Sequence, residues 1–361
     1  MKKVEVALEN RSYQINIGSG NLTWIAKEIS ELGLKGKILI VTNTVVGPLY
    51  EEFVSQKLKD QGFSVQTIVL PDGENYKSLD IAARIYDSAI EFGLDRYSSI
   101  LALGGGVIGD MAGFAAATYM RGINFIQVPT TLLAQVDASV GGKVAVNHPR
   151  GKNIIGAFYQ PRLVLNDVNT LQTLDPREKR SGFAEVIKYG VISDKNFFSY
   201  LEEHPFSDYI NDKEYWKDII EKSCAIKAQV VSQDELEHGL RAVLNFGHTI
   251  GHGLEAATSY RLYRHGEAVA LGMVGAAFIA REMGLLSSRE AKRIKELIAM
   301  SGLPVCFSEI SWEELWFHIQ ADKKAQDGNI NFILPTSIGS VVISTVDPLI
   351  IRQVVAKELM K

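Results

Sequence analysis

Three of the seven histidines in this chain, His248, His252 and His265, fall within 18 consecutive residues. In LNFGHTIGHGLE the first two are four residues apart, a spacing that stacks side chains on one face of a helix. Two imidazoles so placed can share a metal ion. Zinc proteases use that spacing in H-E-x-x-H, but there a glutamate follows the first histidine, and here Thr249 does. His265 heads RHGEAVALGM, and glycines adjoin all three histidines (Gly247, Gly251, Gly253, Gly266). One histidine alone is more often structural; three together favour a metal or catalytic site. With a carboxylate added, the set suits zinc or a similar divalent ion, and an open coordination position would make it catalytic. The only two cysteines, Cys224 and Cys306, are too few for a thiolate cluster, so histidines and carboxylates must do the ligating.

SGFAEVIKYGVI places Glu185 and Lys188 three apart, on one helical face. A surface ion pair is the ordinary reading. Yet Phe183, Val186, Ile187 and Val191 leave only a narrow polar strip, so both charges are expected to be partly buried and to need a partner or a task. LALGGGVIGD sets Gly104, Gly106 and Gly109 as G-x-G-x-x-G between a strand and a helix, where a pyrophosphate could approach the helix N-terminus. The motif follows the third strand of its unit and no acidic residue ends the next strand, so a helix-packing turn is an equal alternative. No G-x-x-x-x-G-K-[ST] occurs, which argues against a P-loop phosphotransferase. In the turn PDGENYKSL, Glu74 and Lys77 could touch a ribose or a phosphate, although a plain polar loop is the commoner case. QVPTTLLAQVDASVGGKVAVNHPRGKN gathers Thr130, Thr131, Asp137, Lys143, Lys152 and Asn153 beyond a strand end. Glycine-rich backbone with interleaved lysines fits an anion site. Lys227 and Arg241, with no evident partner in the sequence, and the DKK at 322–324 extend a cationic inventory that a net charge of −4 does not suggest.

These groups need a frame. At 361 residues the chain suggests about two domains. VEVALENRSYQINIG alternates across a turn-like centre and predicts an N-terminal hairpin. KILIVT, FSVQTIVL, SSILALGGG and INFIQVPTT then alternate with helical patterns, as in a mostly parallel, doubly wound sheet that binds ligands at its strand C-termini. After about residue 175 amphipathic helical segments dominate to about residue 325, before a short β return, INFILPTSIGSVVIS, and a last helix, PLIIRQVVAKELM. The expected organisation is therefore a Rossmann-like α/β domain over 1–175 for a nucleotide, and a mainly helical domain over 176–361 for metal and substrate. The acidic balance argues against nucleic-acid binding. The longest apolar run, AVALGMVGAAFIA, is too short for a membrane span and reads as a core helix. MKKVEVALEN lacks an apolar h-region, so a cytoplasmic location is expected.

The combination of PDGENYKSL, LGGGVIGD, PTTLLAQVDASVGGKVAVNHPRGKNIIGAFYQP, SGFAEVIKYG, LNFGHTIGHGLE, HGEAVALGM and DKK resembles the 3-dehydroquinate synthases of the sugar-phosphate cyclase superfamily, a similarity that runs in order over essentially the whole chain. The resemblance implies NAD and a divalent metal, Zn2+ or Co2+, as cofactors. It implies Glu185, His248 and His265 as metal ligands, with His252 in the substrate pocket instead. NAD would lie along Asp72, Gly73, Glu74, Asn75, Tyr76 and Lys77, then Gly105, Gly106, Val107, Ile108, Gly109 and Asp110, then Thr130 and Thr131. Lys143, Lys152 and the segment Thr170, Leu171, Gln172 and Thr173 would complete its surroundings. Substrate contacts would come from Asp137, Lys143, Lys152, Asn153, Lys188, Lys227, Arg241, Asn245, His252 and one lysine of DKK, Lys323 before Lys324. Arg121 would reach a neighbouring subunit's phosphate site, which implies a homodimer. Asn43 stands where relatives often carry aspartate, which leaves a ribose contact there open.

The implied substrate is 3-deoxy-D-arabino-heptulosonate 7-phosphate. The implied reaction is a transient NAD-dependent oxidation, phosphate elimination, re-reduction, ring opening and aldol closure to 3-dehydroquinate, a phosphate-releasing lyase overall. Other sugar-phosphate cyclases, acting on sedoheptulose 7-phosphate or glucose 6-phosphate, and a metal-dependent polyol dehydrogenase are the rival enzymes; a nucleotide-binding regulator with a dead site is the non-enzymatic one. The intact GGK and NHPRGKN favour the synthase.

Overall fold

The computed structural model describes residues 1–322 and 330–361, which form two compact units. The first comprises Met1–Leu174 and Lys213–Leu236, the second Asp175–Asp212 and Glu237–Lys361. The chain first crosses between the units at Leu174/Asp175 and then returns, so that the helix over 213–233 belongs to the first unit.

In the first unit, β1 (Lys2–Val6), β2 (Tyr13–Gly18), α1 (Ile25–Glu31), β3 (Lys37–Asn43), α2 (Gly47–Asp60), β4 (Ser64–Leu70) and α3 (Leu79–Phe92) come first. They are followed by β5 (Ser99–Gly104), α4 (Gly106–Thr118), β6 (Asn124–Pro129), β7 (Lys143–His148), β8 (Gly151–Phe158) and β9 (Leu163–Asp167). Seven strands form one sheet in the order β1-β2-β9-β6-β5-β3-β4, with β1 antiparallel to β2 and every other pair parallel. Apolar runs such as KILIVT suit strands covered on both faces. Ile38 and Ile40 pack with α1 and α2 residues on one face, while Leu39 and Val41 pack with α3 and α4 residues on the other.

From β3 the chain moves to β4 on one side, and then to β5 on the other. The strand order therefore reverses between β3 and β5, and a doubly wound sheet offers its ligand crevice at the C-terminal ends of such a pair. The stretch read as a glycine-rich anion segment is more ordered than the sequence suggests. A π-helical turn, Ala134–Ala138, leads to the β7–β8 hairpin, which packs on α4.

The second unit contains α5 (Pro176–Ser193), α6 (Lys195–Glu203), α8 (His248–Ala257), α9 (His265–Glu282), α10 (Ser288–Met300), α11 (Trp312–Asp322), the antiparallel pair β10 (Ile330–Ser337) and β11 (Ser340–Val346), and α12 (Pro348–Val354). The returning helix is α7 (Lys213–Gln233). Every residue of α9 from Ala268 to Ala280 is buried, and α5, α8, α10 and α12 pack around it. That is the core helix expected from its apolar run. No helix among the described residues is long and apolar enough to cross a membrane.

Candidate functional site

Within the second unit, α5 presents Glu185 and Lys188 one turn apart, 1% and 2% exposed, with the Lys188 ammonium ion-paired to Glu185 Oε2. The surface-pair reading of these residues is therefore wrong, since the apolar flanks bury both charges. Glu185 Oε1 lies 3.7 Å from His248 Nε2 and 3.7 Å from His265 Nε2. The three side chains offer donor atoms within 4.8 Å of one another, a set of two imidazoles and one carboxylate that suits zinc or cobalt. His248 is the first residue of α8, with Nδ1 3.1 Å from the Phe246 carbonyl. His265 is the first residue of α9, with Nδ1 3.2 Å from Glu255 Oε2. One turn along α8, the His252 ring centroid stands 5.3 Å from that of His248 and 6.2 Å from that of His265.

Glycines explain why these helices come so close. A Cβ on Gly272 of α9 would overlap the carbonyl of Gly247, and one on Gly251 of α8 would sit 3.1 Å from the Ala268 carbonyl oxygen. Gly247 itself takes the left-handed φ of 82° that starts α8. At the other end, a Cβ on Gly266 would overlap the Ser181 carbonyl, and the Gly266 N–H donates to Ser181 Oγ at 3.0 Å. Ser181 is one helical turn before Glu185, so this contact carries Glu185 to His265. The glycines beside the histidines thus have a mechanical role.

Burial drives the His248 imidazole down to about 3, against the pull of Glu185, so its ring is neutral and free to ligate at physiological pH. For His265, burial acts downward too, but the bonds to Glu185 and Glu255 prevail and hold it up at about 10. A cation among these groups would take the place of that proton. Arg241 (1% exposed) and Asn245 lie on the 3-10 turn Leu240–Asn245, which runs toward α8. Asn245 Nδ2 donates to Glu237 Oε1 at 3.2 Å. Lys323 and Lys324 lie outside the described residues.

In the first unit, the residues singled out for a nucleotide line the C-terminal edge of the sheet. Asp72–Lys77 follow β4, Gly105–Asp110 follow β5, Thr130 and Thr131 follow β6, and Thr170–Thr173 follow β9. Gly105 and Gly109 keep the turn narrow: added Cβ atoms would come within 3.0 Å of Thr131 Cγ2 and Gln127 Oε1 respectively. Thr130 is buried, and its Oγ1 finds no hydrogen-bond partner among the described residues. Thr170 differs, because its hydroxyl already accepts from Gln135 Nε2 at 3.0 Å. Asn43 resolves as a turn residue that also orients Asp72. Its Oδ1 accepts the Val46 N–H at 2.8 Å, and its Nδ2 donates to Asp72 Oδ1 at 2.5 Å.

The loop 74–77 is tied to the β7–β8 hairpin. Lys77, 4% exposed, donates through Nζ to Asp110 and to Asn153 Oδ1, and its carbonyl accepts the Asn147 N–H at 2.8 Å. Glu74 Oε1 accepts from Asn147 Nδ2 at 2.8 Å and stands 3.7 Å from Lys152 Nζ. Asn153 takes a left-handed φ of 58°, with its N–H on Asn147 Oδ1 at 2.8 Å. Lys143, at the start of β7, is exposed. Lys227 on α7 is not the unattached cation the sequence suggested. Buried there, it donates to the Asp137 carbonyl at 2.7 Å and lies 3.0 Å from Asp137 Oδ1. Arg121 is exposed, beside Met120; both have left-handed φ, 67° and 49°.

Replacing Lys77 by methionine leaves Asp110 and the Asn153 amide without their shared cation. Breaking a buried pair costs about 3–5 kcal/mol; because Asp110 keeps 21% exposure, a loss of about 2–3 kcal/mol is expected. Denaturant titration of K77M checks it, and K77M/D110N should regain part of the loss. Sequence reading overlooked Asn147 and Glu255. Glu255 could have been found, since it stands three residues after His252 on the face already singled out.

Residues 67–181 match the family described as 3-dehydroquinate synthase N-terminal, and residues 182–325 the one described as 3-dehydroquinate synthase C-terminal. The 3-dehydroquinate synthase of Microcystis aeruginosa is 51% identical over 358 residues, 98% of this chain and 97% of that protein. Among solved structures, 2-deoxy-scyllo-inosose synthase complexed with carbaglucose-6-phosphate, NAD+ and Co2+ gives a TM-score of 0.91 at 26% identity, covering 99% of this chain and 100% of that one. The 2-epi-5-epi-valiolone synthase of Streptomyces hygroscopicus subsp. jinggangensis, with NAD+ and Zn2+ bound, gives 0.88 at 28% identity, covering 97% of each.

Proposed function

Because the chain belongs to the 3-dehydroquinate synthase family, we propose that it converts 3-deoxy-D-arabino-heptulosonate 7-phosphate to 3-dehydroquinate and phosphate. The observation that carries the reading is the convergence of Glu185, His248 and His265, three ligands drawn from three separate helices, in a chain half identical to synthases of that name. The donor set fits a divalent cation, and the orphaned Thr130 hydroxyl beside the narrow Gly105 turn fits a nucleotide. When bound, NAD takes up and returns a hydride, and the cation draws charge from a neighbouring oxygen.

The chain's own residues do the rest. Lys143, Lys152 and Asn153, carried on the β7–β8 hairpin, are assigned to the phosphate, and the ties to loop 74–77 keep that hairpin in place. Arg241 and Lys227 supply cations for the carboxylate that distinguishes a heptulosonate from simple sugar phosphates. His252 and Asn245 are assigned to the reacting hydroxyls, and Lys188 pairs with Glu185 beside the metal ligands. With the leaving phosphate fixed, one of its own oxygens can remove the adjacent acidified proton, and no further base is required.

We also assign Arg121 to a partner subunit's phosphate site in a homodimer. Its support is the exposed, left-handed Met120–Arg121 turn, which spends backbone strain on projecting a cation. A cytoplasmic location completes the proposal.

The second reading, another sugar-phosphate cyclase, is favoured by the two solved cyclases, but at 26% and 28% identity against 51% for the synthase. Purified protein offered the heptulosonate phosphate, sedoheptulose 7-phosphate and glucose 6-phosphate should release phosphate from the first. Preference for either of the others overturns the substrate assignment. Rising NADH absorbance during turnover would point to a dehydrogenase, because the cyclase reaction regenerates NAD+.

A further inference from the structure

Helix α8 carries His248, His252 and Glu255 at spacings of four and three, so all three face one way. Glu255 is 4% exposed, and its Oε2 lies 3.2 Å from Nδ1 of His265, the edge of the ring opposite the one that faces Glu185. His248 is held in the same manner, with Nδ1 on the Phe246 carbonyl and Nε2 toward Glu185. Both rings therefore turn Nε2 to one carboxylate oxygen while a fixed acceptor occupies Nδ1.

We propose that Glu255 is a positioning residue of the metal centre: it accepts the Nδ1–H of His265, fixes that tautomer and ring plane, and leaves Nε2 as the ligating atom. The proposal rests on the metal-centre reading above and deepens it. Histidine ligands generally need such an outer partner, and its removal lowers metal affinity by about 10–100-fold. Glu255 does so with a charge, where His248 has a backbone carbonyl. One carboxylate, Glu185, faces the cation directly, and a second, Glu255, stands behind a ring. Lys188 offsets one of these two charges, which leaves a site that favours a divalent cation without saturating it with anionic ligands.

A rival arrangement exists, because His252, Glu255 and His265 also offer donor atoms within 4.8 Å of one another. There Glu255 would be a ligand in its own right, with His265 bound through the ring edge it turns to Glu255 or shared between two ions. Geometry favours the positioning role, since His265 Nδ1 stands at hydrogen-bond distance from Glu255 Oε2 while its Nε2 faces Glu185.

The test uses the full chain and Zn2+ in chelator competition, with nitrogen NMR of the histidine rings and the visible spectrum of the Co2+-loaded protein. Glu255→Gln, nearly isosteric, keeps an acceptor but loses the charge and should weaken Zn2+ binding about tenfold. Glu255→Ala should weaken it by a larger factor, up to about 100-fold. The stoichiometry should stay at one ion, the Co2+ band position should hold in Glu255→Gln, and His265 should show a protonated Nδ1 in the loaded, unaltered chain. Unchanged affinity in both variants, a second ion per chain lost with Glu255, or metal on His265 Nδ1 would overturn the proposal. Failure of the unaltered chain to bind Zn2+ would overturn the metal-centre reading itself, a result distinguishable from tight binding indifferent to Glu255. Should Glu255→Ala not fold, Glu255→Gln and the tautomer measurement decide the matter.

Discussion

Gly272→Ala is expected to dismantle the metal centre without touching a ligand. The new methyl group would overlap the Gly247 carbonyl, and neither partner can rotate away, because both are backbone. The contact can be relieved only by parting α8 from α9. Overpacking of this kind usually costs 1–3 kcal/mol, and a backbone-to-backbone clash belongs at or above the top of that range, about 3 kcal/mol. For a domain of this size that is a fall in Tm of roughly 6–12 °C. Because His248 begins α8 and His265 begins α9, the same displacement separates the two imidazoles, and metal content should fall with stability. Thermal denaturation and metal analysis of G272A check both. A protein with unaltered Tm and a full complement of metal would show that the two helices tolerate the added volume.

His248→Ala and His265→Ala should abolish tight metal binding, whereas His252→Ala should keep the metal and lose turnover by at least about 100-fold. His248 and His265 each face the same Glu185 oxygen at 3.7 Å through Nε2, while His252 stands one turn away. Losing one of three protein ligands leaves a carboxylate and a single imidazole, too few to hold zinc firmly. Metal content of the three purified variants is the measurement. A metal-free His252→Ala would move His252 into the ligand set, as the alternative grouping with Glu255 and His265 would require.

How far all this could be read from the sequence depends on distance along the chain. The parallel sheet was legible because continuous apolar strands and amphipathic helices alternate, and each signal is local. Resemblance, not spacing, separated His248 from His252: helical periodicity puts both on one face and has no means of choosing between them. Glu185 lies 63 residues before His248, and its place in the site depends on Gly266 meeting Ser181, a contact no periodicity announces. The pair formed by Lys227 and Asp137 escaped notice for the same reason, being 90 residues apart. Asn43 stood out only as a departure from relatives, until its bonds to Val46 and Asp72 gave it a turn-capping task. The β7–β8 hairpin was masked by its own glycines and lysines, which suit a loop as well as an edge pair.

The return of α7 to the first unit has a consequence for how the protein is made. The chain crosses between its two units after residues 174, 212 and 236, so the first unit is not finished when its last sheet strand leaves the ribosome. Gln135 waits for the thiol of Cys224, Asp137 for the ammonium of Lys227, and β1 for the carboxylates that bind Lys2, all supplied by α7. Meanwhile α5, with the buried charges Glu185 and Lys188, has already been synthesised, and α9, which packs on it, has not. Vectorial synthesis therefore cannot complete one unit before beginning the other, and neither half can be released intact by a single cut in the chain.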